Sequence, residues 1–126
     1  MAKLREIYQC QKCKLLVEVV NDAPDSPECC GEARTCLEAK TAEKEGKEKH
    51  VPVIEETDCC INVKVGSVEH PMLEEHYIKF IEVLTADKVL RAELKPGQKP
   101  EADFCVKKED VVEVREFCTT HGLWKA

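Results

Sequence analysis

Tyr77-Ile78-Lys79-Phe80-Ile81-Glu82-Val83-Leu84, rich in aromatic and β-branched residues and followed by the turn signal Ala86-Asp87-Lys88, is the segment that decides the fold. Towards the N-terminus, Val51-Pro52-Val53-Ile54-Glu55 and Ile61-Asn62-Val63-Lys64-Val65 repeat the β pattern, with turn residues at Asp58 and Gly66-Ser67. Towards the C-terminus come 89–94, then Pro96-Gly97-Gln98-Lys99-Pro100 as a turn, then 102–106 and 111–117. Six or seven short strands at this spacing predict an all-β chain, an antiparallel sandwich of immunoglobulin-like architecture. Neither a long amphipathic helix nor an internal repeat competes with that reading.

The 126 residues suit one domain or a small module joined to a moderate one, and the pattern divides near residues 38–42. Residues 1–38 form a cysteine-dense segment with one apolar run, Leu15 to Val20, and residues 39–126 carry the sandwich. So short a segment cannot bury enough apolar surface to fold alone and needs a staple or a metal. The connector Ala42-Glu43-Lys44-Glu45-Gly46-Lys47-Glu48-Lys49 reads as a solvated loop or frayed helix.

Charged residues make up 35% of the chain and hydrophobic residues 43%, so a soluble globular protein is expected. The net charge of −6 leaves no basic surplus for nucleic-acid phosphates. No apolar run nears the roughly 18 residues of a membrane span, and Met1-Ala2-Lys3-Leu4-Arg5-Glu6 lacks a signal core. The nine cysteines could be a secreted disulfide scaffold. An odd count, the missing signal and the adjacent pairs Cys29-Cys30 and Cys59-Cys60 weigh against it, because neighbouring cysteines bridge only with strain. Clustered cysteines in a reducing cytoplasm point instead to metal.

Cys10-Gln11-Lys12-Cys13 brings two sulfurs together from one tight turn, and Cys29-Cys30 supply two more. Four thiolates suit tetrahedral zinc or a single iron. Rubredoxins and zinc ribbons use two C-x-x-C knuckles, so the adjacent pair departs from both and should distort the tetrahedron. A zinc staple stays open as the plain structural alternative. The four histidines, His50, His70, His76 and His121, form a second set. His121 follows Cys118 at metal-ligand spacing, while His70 and His76 bracket the turn-like Pro71–Glu75. If all five meet, the count exceeds the closed four-ligand shell of structural zinc, and around iron it leaves one position open to a small molecule.

Lys47 to Glu55, Val63 to Met72, Glu75-His76-Tyr77-Ile78 and Glu116 to Trp124, with the four leading cysteines in order, resemble the signature of the desulfoferrodoxins, two-iron superoxide reductases. The resemblance implies a desulforedoxin-like or rubredoxin-like N-terminal domain with iron on Cys10, Cys13, Cys29 and Cys30. It implies a second iron with His50, His70, His76 and His121 in a plane and the Cys118 sulfur axial. It makes Lys49 the cation that attracts superoxide and Glu48 the carboxylate that closes the open position after oxidation. The implied reaction is one-electron reduction of superoxide to hydrogen peroxide in a cytoplasmic homodimer supplied by a donor such as rubredoxin, which detoxifies superoxide in an anaerobe or microaerophile. The four-cysteine iron is then a relay or a support. A pure electron carrier, a structural zinc module and a 2-His-1-carboxylate oxygenase are the competing functions. Three departures from the family pattern stand out: Lys14 where the knuckle is usually followed by glycine, Gly46 in a longer connector, and Cys59-Cys60 in a turn that in relatives is typically polar or glycine-containing. Cys36, Cys59, Cys60 and Cys105 read as free, with a redox disulfide or an extra metal contact as the alternative.

Overall fold

The computed structural model describes residues 1–41 and 46–126, so the part of the connector reading that falls on 42–45 lies outside the described residues. Two compact units result, Met1–Glu38 and Ala39–Ala126. In the first, β1 (Ile7–Gln9) lies between β2 (Leu16–Glu18) and β5 (Thr35–Cys36), antiparallel to both, while β3 (Glu28–Cys29) and β4 (Glu32–Ala33) form a separate small hairpin. Strands of two or three residues have no periodicity to read, and the sequence predicts none of them. Ile7, Tyr8 and Cys10 are its buried side chains near the knuckle.

The second unit opens with Gly46 and the single-turn helix α1 (Lys47–His50), followed by seven strands. β6 (Pro52–Glu56), β7 (Ile61–Val65) and β10 (Glu101–Phe104) make one sheet in the order β10-β7-β6. β8 (Ile78–Thr85), β9 (Val89–Glu93), β11 (Val111–Cys118) and β12 (Gly122–Lys125) make the other, in the order β12-β11-β8-β9. All pairings are antiparallel, giving the three-on-four immunoglobulin-like arrangement that the strand pattern predicts. β12 is the strand missing from the sequence reading, since its four residues follow Cys118-Thr119-Thr120-His121 and carry only a short apolar pair. Lys40 extends the edge of β12, exchanging backbone hydrogen bonds with Leu123 and Lys125.

Between the sheets, Ile61, Val63 and Val65 of β7 pack with Ile78, Ile81 and Val83 of β8, Leu94, Phe104, Val114 and Cys118. The alternation of β7, buried at 61, 63 and 65, is that of a strand with one face inward. β8 is buried on both faces from Phe80 to Thr85, which is why its sequence reads as a nearly continuous apolar run. The register of β8 against β11 slips between Phe117 and Cys118, so that Phe117 faces Phe80 but Cys118 faces Ile78. That bulge bends the strand end where the ligand-type side chains gather.

Candidate metal centres

In the N-terminal unit the four cysteine sulfurs lie within 4.8 Å of one another. Sulfurs 2.3 Å from one ion at tetrahedral angles are about 3.8 Å apart. Cys29 and Cys30 Sγ are 3.8 Å apart and Cys13 and Cys29 Sγ 3.4 Å, so the adjacent pair shows no widening. Backbone geometry explains this. Successive strand side chains point to opposite faces, but Cys30 adopts a left-handed φ of 55° and is turned back beside Cys29. Lys14 is left-handed too, with φ 67°, and its N–H donates to the Cys10 carbonyl at 2.9 Å, closing the knuckle. The usual glycine therefore answers a conformational demand that Lys14 meets at a cost of about 1 kcal/mol. The Cys13 N–H pulls the Cys10 thiol down to about 6, whereas hydrogen bonds shared with Cys29 push Cys30 up to about 12. A bound cation replaces the protons that such a cluster otherwise shares.

In the sandwich, four short segments meet at one end. α1 presents His50, the loop after β7 presents His70, a tight turn presents His76, and the β11–β12 turn presents Cys118 and His121. The His76 turn is closed by mutual backbone hydrogen bonds between Leu73 and His76, of 2.9 and 3.0 Å. Thr119 and Tyr77 tie that turn to the Cys118 loop through bonds of 3.0 and 3.1 Å. Ring contacts run His50–His70, His70–His76, His76–His121 and His121–His50, with centroids 4.8–5.0 Å apart and planes 68–86° apart. The imidazoles thus close a square. Cys118 Sγ lies 3.3 Å from His70 Nε2 and 3.8 Å from His121 Nδ1, at diagonal corners, which sets the sulfur on one side of that square.

Protonation shows that the set suits a cation. His50 Nδ1 is 2.8 Å from the Gly46 carbonyl and His70 Nδ1 is 2.6 Å from the Pro71 carbonyl. Carbonyls only accept, so both Nδ1 atoms carry the hydrogen and both Nε2 atoms present lone pairs. Those two Nε2 atoms nonetheless face each other at 3.2 Å, close to the roughly 3.0 Å between nitrogens held at right angles about 2.1 Å from one ion. His76 Nε2 is buried with no hydrogen-bond partner among the described residues. Burial lowers His50 and His121 and takes His70 down to about 4, so these rings are neutral donors at pH 7. Burial raises the Cys118 thiol, against backbone N–H donors from His121 and Thr120 that favour its anion. Five donors of this kind exceed the tetrahedral shell of structural zinc and suit iron.

All five expected side chains converge, with His50, His70 and Cys118 buried, His76 half-buried and His121 exposed, so the square meets solvent on one side. Glu48 and Lys49 stand exposed on α1 immediately before His50, outside the converged donors. Gly66 fixes that turn. Its N–H donates to Val51 O at 3.0 Å and Val68 N–H to Glu48 O at 2.8 Å. Supporting residues that sequence reasoning missed surround the square. Trp124, the single tryptophan, stacks on His50 at 4.6 Å and donates Nε1–H to the His121 carbonyl at 3.1 Å. Lys40 donates to the same carbonyl at 2.9 Å and lies over the Trp124 ring. Glu116, two residues before Cys118, is fully buried with neither carboxylate oxygen partnered among the described residues, and burial pushes its carboxyl well above the usual carboxylate range. The lone tryptophan is the one available signal; the rest depends on contacts with backbone carbonyls.

The desulfoferrodoxin family model matches residues 42–126. A desulfoferrodoxin homolog of Archaeoglobus fulgidus is 47% identical over 126 residues, covering 100% of this chain and 99% of the relative. A desulfoferrodoxin of Nitratidesulfovibrio vulgaris is 46% identical over 121 residues, 96% of this chain and 94% of its own. Among solved structures, the superoxide reductase from Treponema pallidum matches with a TM-score of 0.76 at 31% identity over 96% of this chain and 95% of its own. The superoxide reductase (1Fe-SOR) from Giardia intestinalis matches 64% of this chain and 96% of its own, with a TM-score of 0.53 at 29% identity. A square of imidazoles with a thiol on one side and full-length relatives at this identity carry one conclusion: the chain belongs to the desulfoferrodoxin family.

Proposed function

We propose that this protein is a superoxide reductase that converts superoxide, one electron and two protons into hydrogen peroxide at the His50–His70–His76–His121–Cys118 centre. The observation that carries the reading is five converged donors, one more than a closed tetrahedral site uses, on a square that meets solvent. Iron held there would supply the electron and an open position for a small anion. The chain's own residues do the rest. Lys49, exposed beside His50, draws the anion in against the overall charge of −6, and Lys40 adds a second cation near the same ring set. The carbonyls of Gly46 and Pro71 fix the tautomers of His50 and His70, while Trp124 braces His50 from behind. Cys118 would help hold that iron with an electron-rich sulfur, which favours protonation and release of hydrogen peroxide with its O–O bond intact. Glu48 guards the open side between turnovers.

The four-cysteine site of residues 1–38 is a second iron that relays electrons or supports the small domain, and residues 39–126 are the catalytic domain. A small redox protein of the rubredoxin kind is the electron donor, and the working form is a cytoplasmic homodimer. Azide tests the open position. Added to the iron-loaded oxidised protein, it should shift the visible absorption of the histidine–cysteine centre and compete with superoxide. A spectrum unmoved by saturating azide would mark the centre as closed, as in a pure electron carrier.

A further inference from the structure

A third group of cysteines stands at the other end of the sandwich. Cys59 and Cys60 end the turn between β6 and β7, which Thr57 N–H closes onto the Cys60 carbonyl at 2.9 Å, and Cys105 directly follows β10. In the antiparallel ladder Ile61 faces Phe104, so Cys60 and Cys105 occupy the next register position. Facing residues of such a ladder have Cα atoms about 4.5–5.5 Å apart, inside the range of about 4.4–6.8 Å that a disulfide accepts. Their Sγ atoms are already 3.3 Å apart. Cys59 Sγ is 3.6 Å from Cys60 Sγ, but adjacent cysteines bridge only with strain. The three sulfurs are not among the donor sets that converge on one point, which disfavours an ion. Cys105 is exposed, Cys60 half-buried, and Lys107 and Lys108 line the hollow beside Cys59 and Cys60. About 16 Å of β7 separates this pair from the loop that carries His70.

We propose that Cys60 and Cys105 are a peroxide-responsive thiol pair, which hydrogen peroxide converts to a disulfide clasping β7 to β10. Cys60 donates its hydrogen towards Cys105, and the hydrogen bonds it shares with Cys105 and Cys59 push its own thiol up to about 12. Cys105, exposed where Cys60 is half-buried and accepting the Cys60 hydrogen, is the sulfur open to peroxide and the one that attacks. Its thiolate takes one peroxide oxygen, becoming a sulfenic acid as the O–O bond breaks and hydroxide leaves. Cys60 sulfur then displaces the sulfenic oxygen, forming the S–S bond. In sum, two thiols and one hydrogen peroxide give one disulfide and two waters. A dithiol reductant restores the pair by exchange. That the oxidant comes from this protein's own turnover rests on the reductase reading; the pair's chemistry towards added peroxide does not.

The test treats the metal-loaded full chain with stoichiometric hydrogen peroxide, alkylates the remaining thiols, and maps tryptic peptides by mass spectrometry. The expected product joins His50–Lys64 to Ala92–Lys107 and is two hydrogens lighter than the separate peptides. Cys59→Ser should form the same link. Cys60→Ser should lose it and leave Cys105 as a sulfenic acid that dimedone traps. Cys60 and Cys105 both remaining alkylatable after peroxide, or loss of the link in Cys59→Ser, would overturn the proposal. A second arm replaces peroxide with a superoxide source and an electron donor. A link formed by added peroxide but not under superoxide supports the thiol pair and counts against the reductase reading alone.

Discussion

Replacing Gly66 by alanine should damage the histidine–cysteine centre although Gly66 offers no ligand. Its φ is +82°, and an added Cβ would lie 2.6 Å from the Glu48 carbonyl oxygen and 2.7 Å from the Lys49 C and Cα atoms. Restoring ordinary contact at about 3.4 Å requires the turn that carries Glu48, Lys49 and His50 to retreat by about 0.7–0.8 Å. The left-handed backbone costs alanine about 1–2 kcal/mol. Weakening the Gly66–Val51 and Val68–Glu48 hydrogen bonds adds about 1–2 kcal/mol more. Denaturant unfolding should therefore show a loss of about 2–4 kcal/mol, and displacement of Lys49 and His50 should cut the rate with superoxide by about 10- to 100-fold. Gly97 is the control, with φ +89° and nothing within 4 Å of an added Cβ. Gly97→Ala should cost only about 1–2 kcal/mol and leave the rate alone. Equal stabilities and equal rates for the two variants would refute the claim that Gly66 sets the position of the Glu48–His50 turn.

Three further outcomes follow from individual contacts. Lys40→Met removes an exposed cation from the His121 carbonyl and should slow reaction with superoxide by about threefold to tenfold at low salt, with the difference shrinking as salt is added; a salt-independent loss would point to displaced ligands instead. Lys14→Gly relieves a left-handed lysine and should stabilise the N-terminal unit by about 1 kcal/mol, seen as slower loss of its metal to a chelator. In chelator-treated protein, burial holds His70 at about 4, below the ordinary imidazole value, so between about pH 6.5 and 4 the unfolded chain binds a proton that the folded chain refuses. Stability is fully present above that window and falls by roughly 3 kcal/mol as pH drops through it; His70→Asn should flatten the slope in a denaturant series.

Legibility in the sequence tracks how far each feature depends on spacing alone. Residues 61–65 read as a strand at its observed bounds because one inward face imposes period two, and β8, β9 and β11 lie within a residue of expectation at each end. β12 escapes because its Leu123-Trp124 pair follows a ligand motif and is too short to show a period. The Cys118–His121 spacing signals a metal site, yet the square itself needs the fold, since His50 and His70 lie twenty residues apart and meet only because the antiparallel β6–β7 hairpin brings its two outer ends together, Pro52 facing Val65. Gly46 reads as an extra connector residue; its carbonyl in fact orients His50. Cys60 and Cys105 lie far apart in sequence, and only the β7–β10 register brings them together.

The histidine–cysteine centre is expected to reduce superoxide without dismuting it. Stopped-flow mixing of the reduced, iron-loaded protein with superoxide, with peroxide and dioxygen both quantified, tests this most directly. One hydrogen peroxide should form per superoxide consumed, with no dioxygen above the uncatalysed background, and the reaction should be lost in Cys118→Ser. Release of one dioxygen for every two superoxides, or full activity in Cys118→Ser, would contradict it.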